Sequence, residues 1–140
     1  MPTPSPEIRA IRPDQSVPTR QGLPYFLGIS GRSVGARGLA MHLVEIPPAA
    51  CSEPHQHLGY ETGIYVIEGR VLTRWGDRLE QEVISSAGEF LFIPAAVPHQ
   101  SINLSTTDVA RAVIARNDPE EQDKVVVYDP EQARNLEPSP

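Results

Sequence analysis

Three of the four histidines in this chain lie in two segments framed by proline and glycine. His55 and His57 follow Pro54 and alternate along the chain, and His99 follows Pro98 in a second segment. Alternate residues of an extended chain share one face, so the first two imidazoles point the same way. Neutral imidazoles suit divalent manganese, iron, cobalt, nickel, copper or zinc. The pattern therefore predicts a metal site, and the rest of the chain must supply the elements that bring its two halves together.

The composition is that of a single globular domain. The chain has 140 residues, of which 39% are hydrophobic and 21% charged, and no apolar run approaches the roughly 20 residues that cross a bilayer. A net charge of −6 argues against a nucleic-acid partner, which needs a basic surface. The N-terminal sequence lacks the features of a signal peptide, so we expect a cytoplasmic protein with no membrane partner. The single cysteine, Cys51, excludes an internal disulfide.

The elements that position the histidines are predicted to be short strands. Fifteen prolines and ten glycines punctuate the chain, and no stretch shows a sustained helical period with caps. Short apolar or alternating runs with turn signals between them indicate an all-β barrel or sandwich. A weak strand is also expected at 7–12. The stronger strand predictions cover 39–46, 62–67, 70–75, 79–84, 89–93, 99–104, 108–115 and 125–128.

The two histidine segments resemble the two sequence motifs of the cupin family. The first motif has a histidine pair, then a glutamate, then a glycine, and the chain supplies His55, His57, Glu61 and Gly69. The second motif is matched by Gly88, Pro94, Ala96, His99 and Asn103. The resemblance covers about residues 54–103 and implies a double-stranded β-helix, the jelly-roll barrel. On this basis 23–128 form the barrel, 1–22 a flexible proline-rich arm and 129–140 a polar tail.

The resemblance implies a ligand set of His55, His57, Glu61 and His99, with one divalent transition metal per chain. The spacing leaves an alternative open, because Glu61 and Gly69 enclose seven residues where the motif has six. Counting back from Gly69 places Thr62 in the glutamate position. One extra residue turns Glu61 outward unless the strand has a bulge, for which Gly63 is a candidate. The alternatives are a four-ligand site with such a bulge and a three-histidine site.

Two motif glycines are replaced by alanine in this chain. Ala49 or Ala50 stands before the histidine pair, and Ala96 stands in the second motif. Alanine disfavours a positive φ, so we expect the turn at Ala96 not to need one.

The resemblance also implies a metal-dependent enzyme, a dioxygenase or an isomerase or lyase, that acts on a small organic substrate inside the barrel. Glu61 is then a possible general base if it leaves the metal. The alternative is a non-catalytic cupin that binds a small ligand or stabilises an assembly. By analogy with small cupins, we expect a homodimer.

Four further residues are candidates for the wall of the pocket. Tyr65, Trp75 and Phe92 are aromatic residues on predicted strands, although strand aromatics usually belong to the core. His42 is the one histidine outside both motifs. It shares a predicted strand face with Ala40, Val44 and Ile46, which favours a buried structural histidine over a ligand.

Overall fold

The computed structural model describes residues 6–131 of the chain, except for the side chain of Asp123. Within this range the protein is almost entirely β-structure, as the sequence predicts. The elements in chain order are β1 (Ser16–Val17), β2 (Tyr25–Ile29), a short helix α1 (Gly31–Val34), β3 (Ala40–Ile46), β4 (His55–His57), β5 (Thr62–Glu68), β6 (Arg70–Trp75), β7 (Gln81–Ser86), β8 (Phe90–Ile93), β9 (His99–Asn103), β10 (Ala110–Arg116), a 3₁₀ turn (Glu121–Lys124) and β11 (Val125–Val127).

The strands form two antiparallel sheets that face each other. The six-stranded sheet has the order β1-β2-β3-β10-β5-β8, and the five-stranded sheet has the order β11-β4-β9-β6-β7. Strands distant in sequence are neighbours in both sheets, as in a jelly roll. This arrangement places β4, which carries the histidine pair, beside β9, which carries the third histidine.

The core lies between the two sheets because residues of one parity on each strand point inward. On β3 and β10 every second residue is buried, and most of these residues are aliphatic. Burial of a valine, leucine or isoleucine side chain contributes roughly 1.5–3 kcal/mol, so this cluster is the main source of the barrel's stability. The cluster consists of Leu23, Tyr25, Val44, Ile46, Val71, Ala110, Ala112 and Ile114.

Part of the segment predicted as a flexible arm belongs to the six-stranded sheet. Within the segment predicted as an arm, β1 pairs with β2, and Gln21 is buried. The weak strand expected at 7–12 is absent, since that stretch forms no regular element in the structure. The helix α1 is short and begins with a capping box between Ser30 and Ser33. Residues 1–5 of the arm and 132–140 of the predicted tail lie outside the described residues.

Two alanines adopt the backbone conformation that favours glycine. Ala49 has a φ of 59° and Ala96 a φ of 63°, both in the left-handed region. The expectation that the turn at Ala96 needs no positive φ is therefore wrong. Hydrogen bonds fix both turns: Ala49 donates its N–H to the carbonyl of Ser105, and Ala96 donates to the carbonyl of His57. The second bond ties the loop before His99 directly to β4.

Candidate metal centre

His55, His57 and His99 converge inside the barrel. His55 pairs directly with His99 across β4 and β9, and His57 follows on the same face of β4. Their ring centroids are separated by 4.3 Å for His55 and His99, 4.6 Å for His57 and His99, and 4.9 Å for His55 and His57. All three residues are buried, and one nitrogen from each lies within 4.8 Å of the other two. The structure thus brings together the three histidines that the sequence singled out.

Hydrogen bonds at Nδ1 orient each imidazole. Nδ1 of His55 lies 2.7 Å from the carbonyl oxygen of Glu53, and Nδ1 of His99 lies 2.9 Å from that of Val97. A carbonyl only accepts, so both rings carry their proton on Nδ1 and leave the Nε2 lone pair free. Such outer hydrogen bonds are typical of metal-binding histidines.

His57 shows the unsatisfied atom that a metal would satisfy. Its Nδ1 lies 3.1 Å from Oγ1 of Thr62, while its Nε2 is buried and has no hydrogen-bond partner within residues 6–131. A buried nitrogen with no partner is costly, and a bound metal ion would compensate for it. The donor set and its orientation therefore fit a divalent transition metal.

Burial keeps the three histidines neutral, which is the form that binds a metal. Desolvation lowers the pKa of His55 to about 3, with a smaller contribution from His99. Desolvation also lowers the pKa of His99 to about 4, although its hydrogen bond to Val97 opposes the shift. The pKa of His57 is lowered as well, first by burial and then by the nearby Arg116 guanidinium.

Glu61 does not join the three histidines; Thr62 does. Glu61 is exposed and its backbone N–H donates to Oδ1 of Asn117, whereas Thr62 is fully buried against His57. The register explains the difference. The pairing of β5 with β8 is regular at Gly63, and the irregularity between β5 and β10 lies near Glu68, at the far end of the strand. Without a bulge at Gly63, Glu61 stays outside the barrel.

A buried ion pair lies behind Thr62. The guanidinium of Arg116 donates from Nε to Oγ1 of Thr62 at 3.3 Å and from one terminal nitrogen to Glu121 at 3.4 Å. The guanidinium carbon, Cζ of Arg116, lies 5.3 Å from the ring centre of Tyr25 and 5.9 Å from that of Tyr60. Cation–π attraction operates at these distances. The carboxylate of Glu121 therefore balances the charge of Arg116 inside the protein.

Two cavities adjoin the histidine cluster. The inner cavity, of about 60 Å³, lies between the sheets and is lined by His55, His99 and Arg116 among others. The outer pocket, of about 440 Å³, opens beside β7 and β8 and also reaches His99. Four residues line both spaces and lie between them: Thr73, Leu91, Ile93 and His99.

The four residues predicted to line the pocket have different positions. Trp75 lines the outer pocket and pairs across the strands with His99. Phe92 borders the same pocket from the edge strand β8 but is 60% exposed. Tyr65 lines neither cavity. Its side chain is half-exposed and packs against Phe90.

His42 is buried and lines neither of these two cavities. Its Nδ1 accepts the N–H of Gly28 at 3.0 Å, which places the proton of the neutral ring on Nε2. Burial and Arg116 lower its pKa to about 4, so its 3.7 Å contact with Glu121 is not an ion pair at neutral pH.

Comparison with known proteins gives the family. The profile of the family described as "Cupin domain" matches residues 42–115, which is more than half of the chain and includes all three converging histidines. This chain belongs to the cupin family. The resemblance of the two histidine motifs is thereby confirmed. A comparison with curated protein sequences gives no significant match.

Solved structures confirm the jelly-roll fold of this cupin. The polyketide cyclase RemF from Streptomyces resistomycificus is 22% identical with a TM-score of 0.66, and the match covers 93% of this chain and 94% of that one. An oxalate oxidase in complex with glycolate is 21% identical with a TM-score of 0.64. That match covers 85% of this cupin but only 59% of the oxidase.

A structure from Klebsiella pneumoniae, described as an uncharacterized conserved protein with a double-stranded β-helix domain, is 14% identical. Its TM-score is 0.68, with 87% of this cupin and 93% of that chain covered. Likenesses at this level of identity show the fold. Among the described residues of this cupin, no helix is long and apolar enough to cross a membrane.

Two interior residues on the barrel strands, Arg116 and Thr73, were not among the candidates from the sequence. Arg116 ends β10 with the same inward parity as Ala112 and Ile114, and Thr73 lies between Val71 and Trp75 on β6. Strand parity alone could have placed both side chains inside the barrel. A charged residue at an inward position was the signal for Arg116.

Proposed function

We propose that this cupin is a metal-dependent enzyme of dioxygenase or isomerase and lyase type, acting on a small organic substrate inside the barrel. The observation that carries the proposal is the partnerless, buried Nε2 of His57, which converges with the imidazoles of His55 and His99 beside a cavity. Three histidines leave coordination positions open, unlike a closed structural site.

A bound divalent metal would supply a Lewis acid or a redox centre at the three histidines. The chain's own residues orient the ligands, through the carbonyls of Glu53 and Val97 and the hydroxyl of Thr62. The apolar walls of the inner cavity limit access of water to the site.

The charges around the site favour an anionic substrate. The three histidines are neutral, and no carboxylate of the described residues belongs to their group. Arg116 is balanced by Glu121, so the charge of the metal ion would remain without compensation from the protein. A bidentate enediolate, thiolate acid or phenolate would supply the missing negative charge.

The structural neighbours support an enzyme with a small substrate. They include an oxalate oxidase in complex with the substrate analogue glycolate, a polyketide cyclase and a sugar phosphate isomerase. These proteins share the fold of this cupin and differ in chemistry, so the reaction must be sought in the site itself.

Metal content is the first test of the proposal. Elemental analysis of protein purified without added metal should show bound transition metal, or addition of Mn, Fe, Ni or Zn should raise Tm. A metal at about 100 times its Kd adds about 2.7 kcal/mol to the stability of the folded state. Less than about 0.2 equivalent of metal together with no rise in Tm would contradict the proposal.

Turnover is the second test. The metal-loaded protein should consume dioxygen with an enediol, thiol acid or flavonoid-like phenol, or should isomerise or cleave such a compound without consuming dioxygen. His57→Asn should abolish the reaction, whereas Glu61→Gln serves as the matched control because Glu61 lies outside the barrel. Full metal loading without turnover of any compound would favour the alternative, a non-catalytic small-ligand-binding or structural cupin.

We also propose that the protein is a homodimer. An exposed apolar group on the outer face of the six-stranded sheet supports this proposal, with Phe90 82%, Ile67 47% and Tyr65 39% exposed. Light scattering should give twice the 15.3 kDa mass of one chain, and Phe90→Glu should shift the protein toward the monomer. A wild-type mass of 15.3 kDa would contradict the proposal.

A further inference from the structure

We propose that the ligand of this cupin is amphipathic, with an oxygen-bearing head group that hydrogen-bonds to Thr73 and a planar apolar group that stacks on Trp75. The inference rests on the proposed function, since the head group would also reach the metal held by the three histidines. It adds the shape and polarity of the substrate and names two specificity-determining residues.

Thr73 is the first residue that points to a ligand. It is only 2% exposed, and its hydroxyl has no hydrogen-bond partner within residues 6–131. Two other polar side chains around the inner cavity are bonded: Gln21 donates to the hydroxyl of Tyr25, and the hydroxyl of Ser52 accepts the N–H of Ser101. A buried hydroxyl without a partner is unfavourable, and an oxygen or nitrogen atom of a ligand would satisfy it.

The position of Thr73 places that partner beside the metal ligands. Thr73 lines both cavities, so it lies between the outer pocket and the inner cavity that His55 and His99 line. His99 also lines both cavities, on the neighbouring strand β9. A head group held next to Thr73 can therefore approach its hydroxyl and the metal together.

Trp75 is the second residue that points to a ligand. It shares the inward parity of Thr73 on β6, and its register partner on β9 is His99. Directly paired residues have Cβ atoms about 4.5–5.5 Å apart, so the indole begins next to a metal ligand. Trp75 is nevertheless 41% exposed, because β6 ends there and the outer pocket lies over the side chain. A half-exposed indole beside a pocket is a surface on which a flat apolar group stacks.

The different volumes of the two cavities indicate a ligand with a small part and a larger part. The inner cavity, of about 60 Å³, accommodates a small polar group, whereas the outer pocket of about 440 Å³ has the size of a pocket for an organic molecule. Most residues around the outer pocket are apolar, including Val83, Leu91, Pro94 and Val97. A small hydrophilic ligand would fill the inner cavity and leave this apolar surface uncovered.

Binding of two hydroxamates to the zinc-loaded protein tests the inference. Benzohydroxamate and acetohydroxamate present the same bidentate anionic head group, and they differ in a phenyl or methyl substituent. We expect benzohydroxamate to bind about tenfold more tightly by calorimetry, because only its ring stacks on Trp75. It should also change the fluorescence of Trp75, the only tryptophan of the chain.

Three variants separate the contributions of Thr73 and Trp75 to hydroxamate binding. Thr73→Val should weaken binding of both hydroxamates about fivefold, and Thr73→Ser should restore it, because the serine keeps the hydroxyl. Trp75→Leu should remove the preference for benzohydroxamate and leave acetohydroxamate unchanged. The matched control is Phe90→Leu, an exposed aromatic residue that lines neither cavity, and it should keep the preference.

Equal affinity of the wild-type protein for the two hydroxamates would overturn the inference. So would an unchanged affinity in Thr73→Val or an unchanged preference in Trp75→Leu. A zinc titration without hydroxamate separates this failure from a failure of the proposed function. If zinc binds but the hydroxamates are not distinguished, only the inference fails. If zinc does not bind, the hydroxamates are compared on the protein loaded with Mn, Fe or Ni, and the proposed function fails as well only if none of these metals binds.

Discussion

Oγ1 of Thr62 lies 3.1 Å from Nδ1 of His57, at the position where the cupin motif has a glutamate. The same oxygen accepts a hydrogen bond from Nε of Arg116 at 3.3 Å. If His57 binds a metal through Nε2, its Nδ1 carries the proton and donates it to Thr62. The hydroxyl oxygen then accepts from both neighbours, which its two lone pairs allow.

Thr62→Val is expected to weaken metal binding about 10–100-fold, because His57 loses the partner that fixes its protonation and orientation. Thr62→Ser should bind metal as the wild-type protein does, since it keeps the hydroxyl. Calorimetric titration with zinc measures the three affinities. An unchanged affinity in Thr62→Val would show that the hydroxyl does not orient His57.

The ion pair between Arg116 and Glu121 should respond asymmetrically to substitution. Both side chains are only 4% exposed. Arg116→Met should destabilise the protein by about 3–5 kcal/mol, because it leaves the carboxylate of Glu121 buried without its partner. The double variant that combines Arg116→Met with Glu121→Gln removes both charges. It should lose less free energy of unfolding than Arg116→Met alone. Urea unfolding gives the three free energies, and a double variant less stable than Arg116→Met would contradict this account.

The stability of the metal-free protein should fall as the pH decreases from about 6.5 toward 4. Burial lowers the pKa of His42 and His99 to about 4 and that of His55 to about 3. In this window the unfolded chain binds protons that the folded protein excludes, so each such histidine contributes a slope of up to about 1.4 kcal/mol per pH unit.

Glu121 acts in the opposite direction, because burial raises its pKa and its contribution is lost as the pH rises through that value. The histidines outnumber it, so the net slope should be positive. Urea unfolding at several pH values between 7.5 and 5 measures the dependence, and a flat profile would show that the histidines are not buried as neutral groups.

Ala96→Gly is expected to stabilise the protein, because Ala96 occupies the left-handed region with a φ of 63°. That conformation costs an alanine roughly 1–2 kcal/mol, and the greater entropy of the unfolded glycine chain offsets part of the gain. Ala95→Gly is the matched control. Ala95 is exposed in the same loop but has no positive φ, so this substitution should lower Tm. A lower Tm in Ala96→Gly would contradict the prediction.

Local sequence patterns were sufficient to predict the histidine cluster and the strands β3 and β5 to β11, but not β1, β2 or β4. The predicted strand at 70–75 coincides with β6 (Arg70–Trp75), and alternation placed His55 and His57 on one face. The position of Glu61 could not be predicted in the same way. It depends on where β5 absorbs one extra residue, and pairing with β8 and β10 decides that point.

The contacts of the interior polar side chains could not be predicted from the sequence either, because they depend on the tertiary structure. Strand parity turns Arg116 inward, but its neighbours Thr62 and Glu121 come from β5 and from the 3₁₀ turn between β10 and β11. The role of Trp75 likewise depends on its register with His99 on β9. Pairing between segments distant in sequence creates these contacts, and periodicity along a single strand carries no information about it.

The most direct test of the central claim is a crystal structure of the metal-loaded protein with anomalous diffraction data at the edge of the added metal. We expect one anomalous peak per chain, about 2.0–2.1 Å from Nε2 of His55, His57 and His99. The carboxylate of Glu61 should remain outside the barrel. A peak coordinated by Glu61, or by Nδ1 of any of these histidines, would contradict the three-histidine site, and so would a fully loaded crystal without a peak at this position.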